Sequence, residues 1–495
     1  MSTRYYKPLK LFSKKFYQKI EVLFQLFGRN CILLILIVIS SFFGFKSLNA
    51  LSQESLTIQD SISAALANNL SVKSAEEKVK IAEHKVNEAR AAMMPSVSGS
   101  GSYTYMGKLP EIEFDFSQMF PAAQGAPSSE GGTGSSLLGG GASSSSMLMG
   151  NKHSSQVGIS AQQALFTWGK IINAYRQAKL SLEAEKQGLE SIRQQVIFGT
   201  TSAFYGVLLA EELVKVTEMA VDQVNAHVKM AQDLVDTGMA TNFDLLRAKV
   251  QQANIRSQLI KMQNMLKLAK DGFKNTIGMN LDAQISLSGE FVYKPVEFTL
   301  DKLLESAMAD RPEIRQLKLQ EEIGEKIIKL AKAGNKPNIA AVYNYSYQSN
   351  EDAFGDVFKA DNWKNTWSVT MALSLPIFDG LGTRAKVKQA RGAVRQIQIG
   401  KEQLINGIGL EVRSAFSSFE EAEELLKVQD ETIQQAQESL RIANLRYKNG
   451  MITSIELMDT ELALTQAQTN YSNALNDYVI AIARIKKAIG SKENQ

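Results

Sequence analysis

The chain carries one long pattern twice. Leu56-Thr57-Ile58 opens a stretch that closes at Met94-Pro95, and Phe298-Thr299-Leu300 opens a second that closes at Lys336-Pro337, each position displaced by 242 residues. Further along the displacement is 212 residues, pairing Phe166 with Phe378, Ala203-Phe204 with Ala415-Phe416, Gly238 with Gly450, Thr241 with Thr453 and Gly278 with Gly490. Between these, Glu211-Glu212-Leu213-Val214-Lys215-Val216 matches Glu423-Glu424-Leu425-Leu426-Lys427-Val428. A unit this long is not a short solenoid repeat. It predicts two equivalent halves, residues 51–290 and 291–495, related by pseudo-symmetry. The difference of 30 residues between the two displacements is extra chain in the first half, between Pro95 and Phe166.

Proline placement locates the helices. No proline occurs between Pro127 and Pro295, and none after Pro376. Proline inside a helix costs roughly 3 kcal/mol, and both proline-free stretches are rich in Ala, Leu, Gln, Glu and Lys, which favour helix. Helices are predicted over 168–236 and 243–277, with repeat partners over 381–448 and 455–489. They make two long hairpins, 168–278 and 381–490. A helix of this length is about 100 Å long, which suits a bundle or tube rather than a compact core. Shorter helices open each half. In the first, Val72, Ala75, Val79, Ala82, Val86 and Ala89 form a seam of small residues in steps of three and four, the spacing of close helix packing.

Two strand-like runs follow the short helices in each half: 96–105 and 154–166, then 338–349 and 365–378. Tyr343, Tyr345 and Tyr347 alternate with polar or small residues, as do Val369, Met371, Leu373 and Leu375. Alternating runs near ten residues fit a membrane barrel, and Tyr103, Tyr105, Trp363 and Trp367 lie near run ends, where interfacial aromatics collect. The competing reading is a soluble hairpin with one wet face. The loop 106–153 is dominated by Gly and Ser and predicts a flexible segment; the loop 350–362 is short and polar.

At the N-terminus, Arg4, Lys7, Lys10, Lys14, Lys15, Lys19 and Arg29 precede an apolar run over 31–45 and a small residue, Ala50. This predicts a signal peptide over 1–50, with a retained signal anchor as the alternative. The one cysteine, Cys31, falls inside that segment, so no disulfide and no thiolate metal site is expected beyond it. No second long apolar run predicts a transmembrane helix. The net charge of +4 is too small to argue for nucleic acid.

No catalytic constellation emerges. His84, His153 and His227 are scattered, without metal-ligand spacing, and His84 and His227 are expected at solvated helix positions. No phosphate loop or nucleophile elbow is present, and no cofactor is expected. The residues that stand out lie at the hairpin turns. Gly238 and Gly450 follow long helices, where a left-handed cap is expected. Thr241 with Asp244, and Thr453 with Glu456, have capping-box spacing, and capping alone accounts for both acids. Asp459 lies one turn past the cap on the face of Glu456; its repeat partner is Arg247, a cation. One tip therefore carries two carboxylates, the other a carboxylate and a cation.

Taken together, the duplicated halves, Leu375-Pro376-Ile377-Phe378-Asp379-Gly380 leading into a helix, and the turn from Gly450 to Leu457 make the chain resemble the TolC family of outer-membrane efflux proteins. The resemblance spans about 56–490. It implies a mainly α fold with a membrane β portion: a homotrimer in which each protomer gives four strands to one barrel in outer-membrane lipid and long helices to a periplasmic α-helical barrel. It further implies a non-enzymatic exit duct, served by a periplasmic adaptor and an inner-membrane transporter, with an acidic constriction at Glu456 and Asp459. The family's basic latch residue is replaced here by Ile452, leaving Arg247 as the substitute cation. The reading from another class is a periplasmic coiled-coil adaptor or scaffold.

Overall fold

The computed structural model describes residues 55–109, 151–289 and 291–491, with the backbone alone of Glu111–Phe114 and Ser145–Leu148. The predicted signal peptide and residues 115–144 of the Gly/Ser-rich loop lie outside the described residues. Residue contacts divide the chain into two units. The smaller, Met1–Leu56 with Gln284–Ser286, is described only at 55–56 and 284–286. The larger, Thr57–Ala283 with Leu287–Gln495, holds every element below.

The first half runs α1 (Ile58–Asn68), α2 (Leu70–Ala91), β1 (Ser96–Tyr105), β2 (Glu111–Phe114), β3 (Ser145–Leu148), β4 (His153–Phe166), α3 (Lys170–Asp236) and α4 (Asn242–Ile277). The second runs α5 (Leu300–Asp310), α6 (Pro312–Lys332), β5 (Asn338–Glu351), β6 (Lys364–Ser374), α7 (Gly382–Lys448) and α8 (Ser454–Ala488). α1 and α5 are both 11 residues long with bounds 242 apart; α3 and α7 are both 67 residues long with bounds 212 apart. Each long-helix boundary lies within two residues of its predicted position.

Two strand expectations need correction. The last strand stops at Ser374, not 378, because Pro376 has no N–H to give to a ladder. The expected flexible loop 106–153 contains a short antiparallel ribbon, β2 on β3.

Four strands form one antiparallel meander in the order β1-β4-β5-β6. Register sorts the side chains by face. Val97 aligns with Ala161, Ala161 with Tyr343, and Tyr343 with Val369; beside them Ile159, Tyr345 and Trp367 stand in one row. The neighbouring row is Ser98, Ser160, Asn344 and Ser368. One face is thus aromatic and aliphatic, the other polar, since a one-residue slip would invert every strand. Trp367, Val369, Met371 and Leu373 are exposed in the single chain.

α3 is the hub of the helical part. Along its length it packs on α2 and α6, and on α4 and α8; α7 packs on α6 and α8. The predicted small-residue seam of α2 faces this core, with Val72, Ala75 and Ala82 buried. One 18-residue window of α3 is apolar enough to cross a membrane by composition, with mean hydropathy 1.2. Within α3, Phe204, Val207, Ala210, Leu213 and Val216 are buried in the helical core, which accounts for that composition. Where α5, α7 and α8 meet, Phe419, Leu475, Tyr478 and Ile485 are buried together, each large side chain contributing roughly 1.5–3 kcal/mol by leaving water. The Tyr478 hydroxyl donates to the Lys294 carbonyl at 2.9 Å, so the ring is buried without an orphaned polar atom.

Candidate functional site

Both hairpin tips are built by the same local chemistry. α3 ends with Gly238 at φ 74° and α7 with Gly450 at φ 68°. Met239 N–H donates to Leu234 O at 2.8 Å and Gly238 N–H to Val235 O at 3.0 Å; Met451 donates to Arg446 at 2.9 Å and Gly450 to Tyr447 at 3.0 Å. These are paired Schellman closures, which satisfy the last helical carbonyls. The next helix starts with a capping box. Thr241 N–H donates to Asp244 Oδ2 at 3.2 Å while Asp244 N–H donates to Thr241 Oγ1 at 3.2 Å. The second tip repeats it, Thr453 N–H to Glu456 Oε2 at 2.7 Å and Glu456 N–H to Thr453 Oγ1 at 3.3 Å. The two turns adjoin: a Cβ added to Gly450 would lie 3.7 Å from Met239 Cε.

The two acids of the second tip are in different states. The Glu456 carboxylate is held by the Thr453 N–H and hydroxyl, with Arg446 nearby, and these lower its pKa below the ordinary glutamate value. Asp459 is exposed, and its carboxylate forms no hydrogen bond or ion pair with the described residues. Arg247 is also exposed and pairs with no carboxylate among the described residues. Ile452 packs against the apolar cluster of Leu440, Tyr447 and Leu457.

His227 is not at a solvated position. It is 1% exposed. Its Nδ1 lies 3.3 Å from Glu461 Oε2, its Nε2 lies 3.1 Å from Ser454 Oγ, and its ring meets that of Tyr447 edge-on at 5.3 Å. The cause is the position of α3 between two neighbours, which leaves it no fully wet flank. The node joins α3, α7 and α8 just above the tips, and burial raises the pKa of the Tyr447 phenol. Spacing carries a signal for it: Ala220, Val224, His227 and Ala231 follow a heptad seam, and all four are buried. His84 is exposed, as expected.

The aromatic residues divide by role. The Tyr103 hydroxyl and His153 Nδ1 are 2.7 Å apart, and Tyr105 lies 5.0 Å from the same ring. The Trp363 indole N–H donates to the Val357 carbonyl at 2.9 Å, tying down the 350–362 loop, whereas Trp367 stands on the apolar sheet face, 68% exposed. At the opposite strand ends, Phe166 and Trp168 stack edge-on at 5.3 Å, a second aromatic group that the sequence reading missed.

The family model "Outer membrane efflux protein" matches residues 135–278 and 303–491. Outer membrane protein TolC of Escherichia coli (strain K12) is 22% identical over 468 residues, covering 91% of this chain and 85% of the relative. Alkaline protease secretion protein AprF of Pseudomonas aeruginosa is 20% identical over 333 residues, covering 66% and 68%. The solved structure of CusC superposes with a TM-score of 0.70 at 18% identity, covering 88% of this chain and 92% of that one. The duplicated architecture, the two-faced sheet and the family match agree, and the adaptor reading falls away: this chain belongs to the outer membrane efflux protein family, and is a passive channel of the outer membrane rather than an enzyme.

Proposed function

We propose that three copies of this chain close into one duct that carries substrate across the periplasm and the outer membrane. The observation that carries this is the unclosed geometry of the single chain. β1 and β6 are each paired on one side only. In a bilayer, every bare backbone N–H and C=O on such an edge costs several kcal/mol, and four strands are too few for a barrel, which needs about eight or more. Joining β6 of one copy to β1 of the next removes both edges. The helices ask for the same closure. α3 packs on helices of both halves, α2 and α4 of its own and α6 and α8 of the other, whereas among the described residues its repeat partner α7 packs on α5, α6 and α8, all of its own half. Leu410, Leu425, Val428, Ile442 and Leu445 are exposed on α7, as are Leu246, Val250, Ile260 and Leu268 on α4. Docking α7 of one copy on α2 and α4 of the next reproduces the contacts of α3 by pseudo-symmetry, a head-to-tail interface that closes as a ring.

In that ring the polar sheet face lines the lumen and the apolar face meets lipid. Residues 51–290 and 291–495 act as two equivalent repeats. The tips form the inner end, where Asp459, supported by Glu456, makes the constriction, and iris-like separation of the hairpins opens it. Arg247 faces the next copy as a latch cation. A periplasmic adaptor and an inner-membrane transporter supply docking and energy, because the duct holds no energy source. AprF is named for protease secretion; cargo identity belongs to the transporter, while the duct supplies shape and charge.

Planar-bilayer recording tests the reading. The protein is expected to conduct ions, and Glu456→Ala with Asp459→Ala is expected to raise cation conductance or alter divalent block. A protein that inserts without conducting sinks the duct; unchanged conductance and block in the double variant sink the acidic constriction alone.

A further inference from the structure

A basic cleft lies where the helices meet the sheet. It has a volume of about 540 Å³ and is lined by Lys332 of α6, Lys336 of the strand entry, and Arg384, Lys388 and Arg391 of α7. All five are exposed, and among the described residues none of them pairs with a carboxylate. The charge is not balanced locally. Over 380–400 the chain carries Arg384, Lys386, Lys388, Arg391 and Arg395 and no acid; Lys401 beyond them is paired with Glu321. Asp379 is already engaged, accepting the Thr383 N–H at 2.7 Å. Arg384 stands in the first turn of α7, which begins at Gly382, at the positive end of its dipole, where anions are favoured and cations opposed. Such an arrangement calls for an anion from outside the chain.

Its level and side follow from a chain of contacts. Ile339 aligns with Leu373 on the apolar sheet face, and Phe166 aligns with Ile339. Phe166 stacks on Trp168, and Lys336 Nζ sits 5.7 Å over the Trp168 ring. Lys336 thus stands at the edge of the lipid-facing surface, one step beyond an interfacial aromatic pair. That is the depth at which phospholipid phosphates lie.

We propose that this cleft binds the phosphate of an anionic phospholipid in the periplasmic leaflet of the outer membrane. The five cations supply charge-assisted hydrogen bonds and the helix end adds its dipole. Bound lipid neutralises the collar and fixes the height of the barrel in the bilayer. The assignment rests on the sheet spanning the membrane with its apolar face outward, so channel formation is read separately.

Native mass spectrometry of the full-length protein in detergent tests this, titrating phosphatidylglycerol against phosphatidylcholine with and without inorganic phosphate. Phosphatidylglycerol is expected to bind about tenfold or more tightly than phosphatidylcholine, since nearby cations favour an anionic headgroup. K332Q/K336Q/R384Q/K388Q is expected to lose that preference, and K332R/K336R/K388R to keep it. Retained bilayer conductance in the glutamine variant shows that lost lipid is not a lost channel. If the glutamine variant fails to assemble, a lost preference in R384Q/K388Q alone upholds the site and an undiminished one overturns it. An undiminished preference in the quadruple variant likewise overturns the site. Equal binding of the two lipids, with inorganic phosphate held by the wild type and not by the variant, assigns the cleft to free phosphate and overturns the lipid.

Discussion

Arg311 is 6% exposed. Its Nε donates to the Ala488 carbonyl at 2.7 Å and its guanidinium to Glu411 at 2.5 Å. In the other half the equivalent position is Asn69, whose amide donates to the Thr276 carbonyl at 2.9 Å. The same helix end is held in both halves, by a neutral donor in one and a charged fork in the other. A second conserved joint with changed chemistry lies where strand enters long helix. Trp168 and Gly169 have φ 49° and 77°; their counterparts, Gly380 and Leu381, have φ 62° and 66°. Two consecutive left-handed residues make the corner in both halves, and glycine occupies a different one each time. A left-handed non-glycine costs about 1–2 kcal/mol, whereas an added glycine gives back up to about 1 kcal/mol through the unfolded chain. Gly380→Ala is therefore expected to destabilise by up to about 1.5 kcal/mol, the strain less the unfolded-chain gain. Leu381→Gly is expected to be neutral or to stabilise by up to about 1 kcal/mol. Denaturant unfolding in detergent compares them, and the reverse order would refute the strain. The substitution pattern at 380–381 was visible in the repeat, but only the backbone angles explain it.

Helix lengths were legible because proline absence, composition and cap residues act within a few residues of where they stand. The tips show this best: the Gly and Thr-x-x-acid spacing predicted both closures, and both are made. Thr453→Ala is expected to cost about 1 kcal/mol of tip-helix stability, measured by hydrogen exchange at 454–460. The acid side has a definite sign. Glu456 has a folded pKa below its ordinary value, so its contribution is present above the unfolded pKa and is lost as pH falls through the folded one. Tip protection should therefore weaken below about pH 4, and less so in Glu456→Gln, which has no carboxylate to protonate. Equal acid sensitivity in both proteins would remove Glu456 from the cap. The premature end of β6 was also written locally, in Pro376, yet apolar alternation through Phe378 outweighed it in reading the sequence.

At the scale of the molecule, one chain is an incomplete object: a sheet with two open edges and a helix layer with one bare flank. Cysteine pairs that join Ser98, Ser100 or Ser102 of β1 to Ser368 or Thr370 of β6, in a chain with Cys31 replaced, should give covalent trimers on oxidation in membranes. These residues share the polar face, so the right register links without disturbing the apolar face. A ladder that stops at dimer, or no interchain link at any pair, would overturn head-to-tail closure by three.

The sequence by itself determined the matched lengths of the two halves' helices, the helix bounds, the alternation that gives the sheet one apolar and one polar face, and the chemistry of the tips. These depend on periodicity, backbone restriction and capping, all of which operate over a few residues. Only the tertiary structure decided that His227 is buried, that Lys336 rests on Trp168, and that α7 lacks the neighbours from the other half that α3 has. Each of those depends on which distant element packs alongside, and burial, pairing and uncompensated charge arise from that packing.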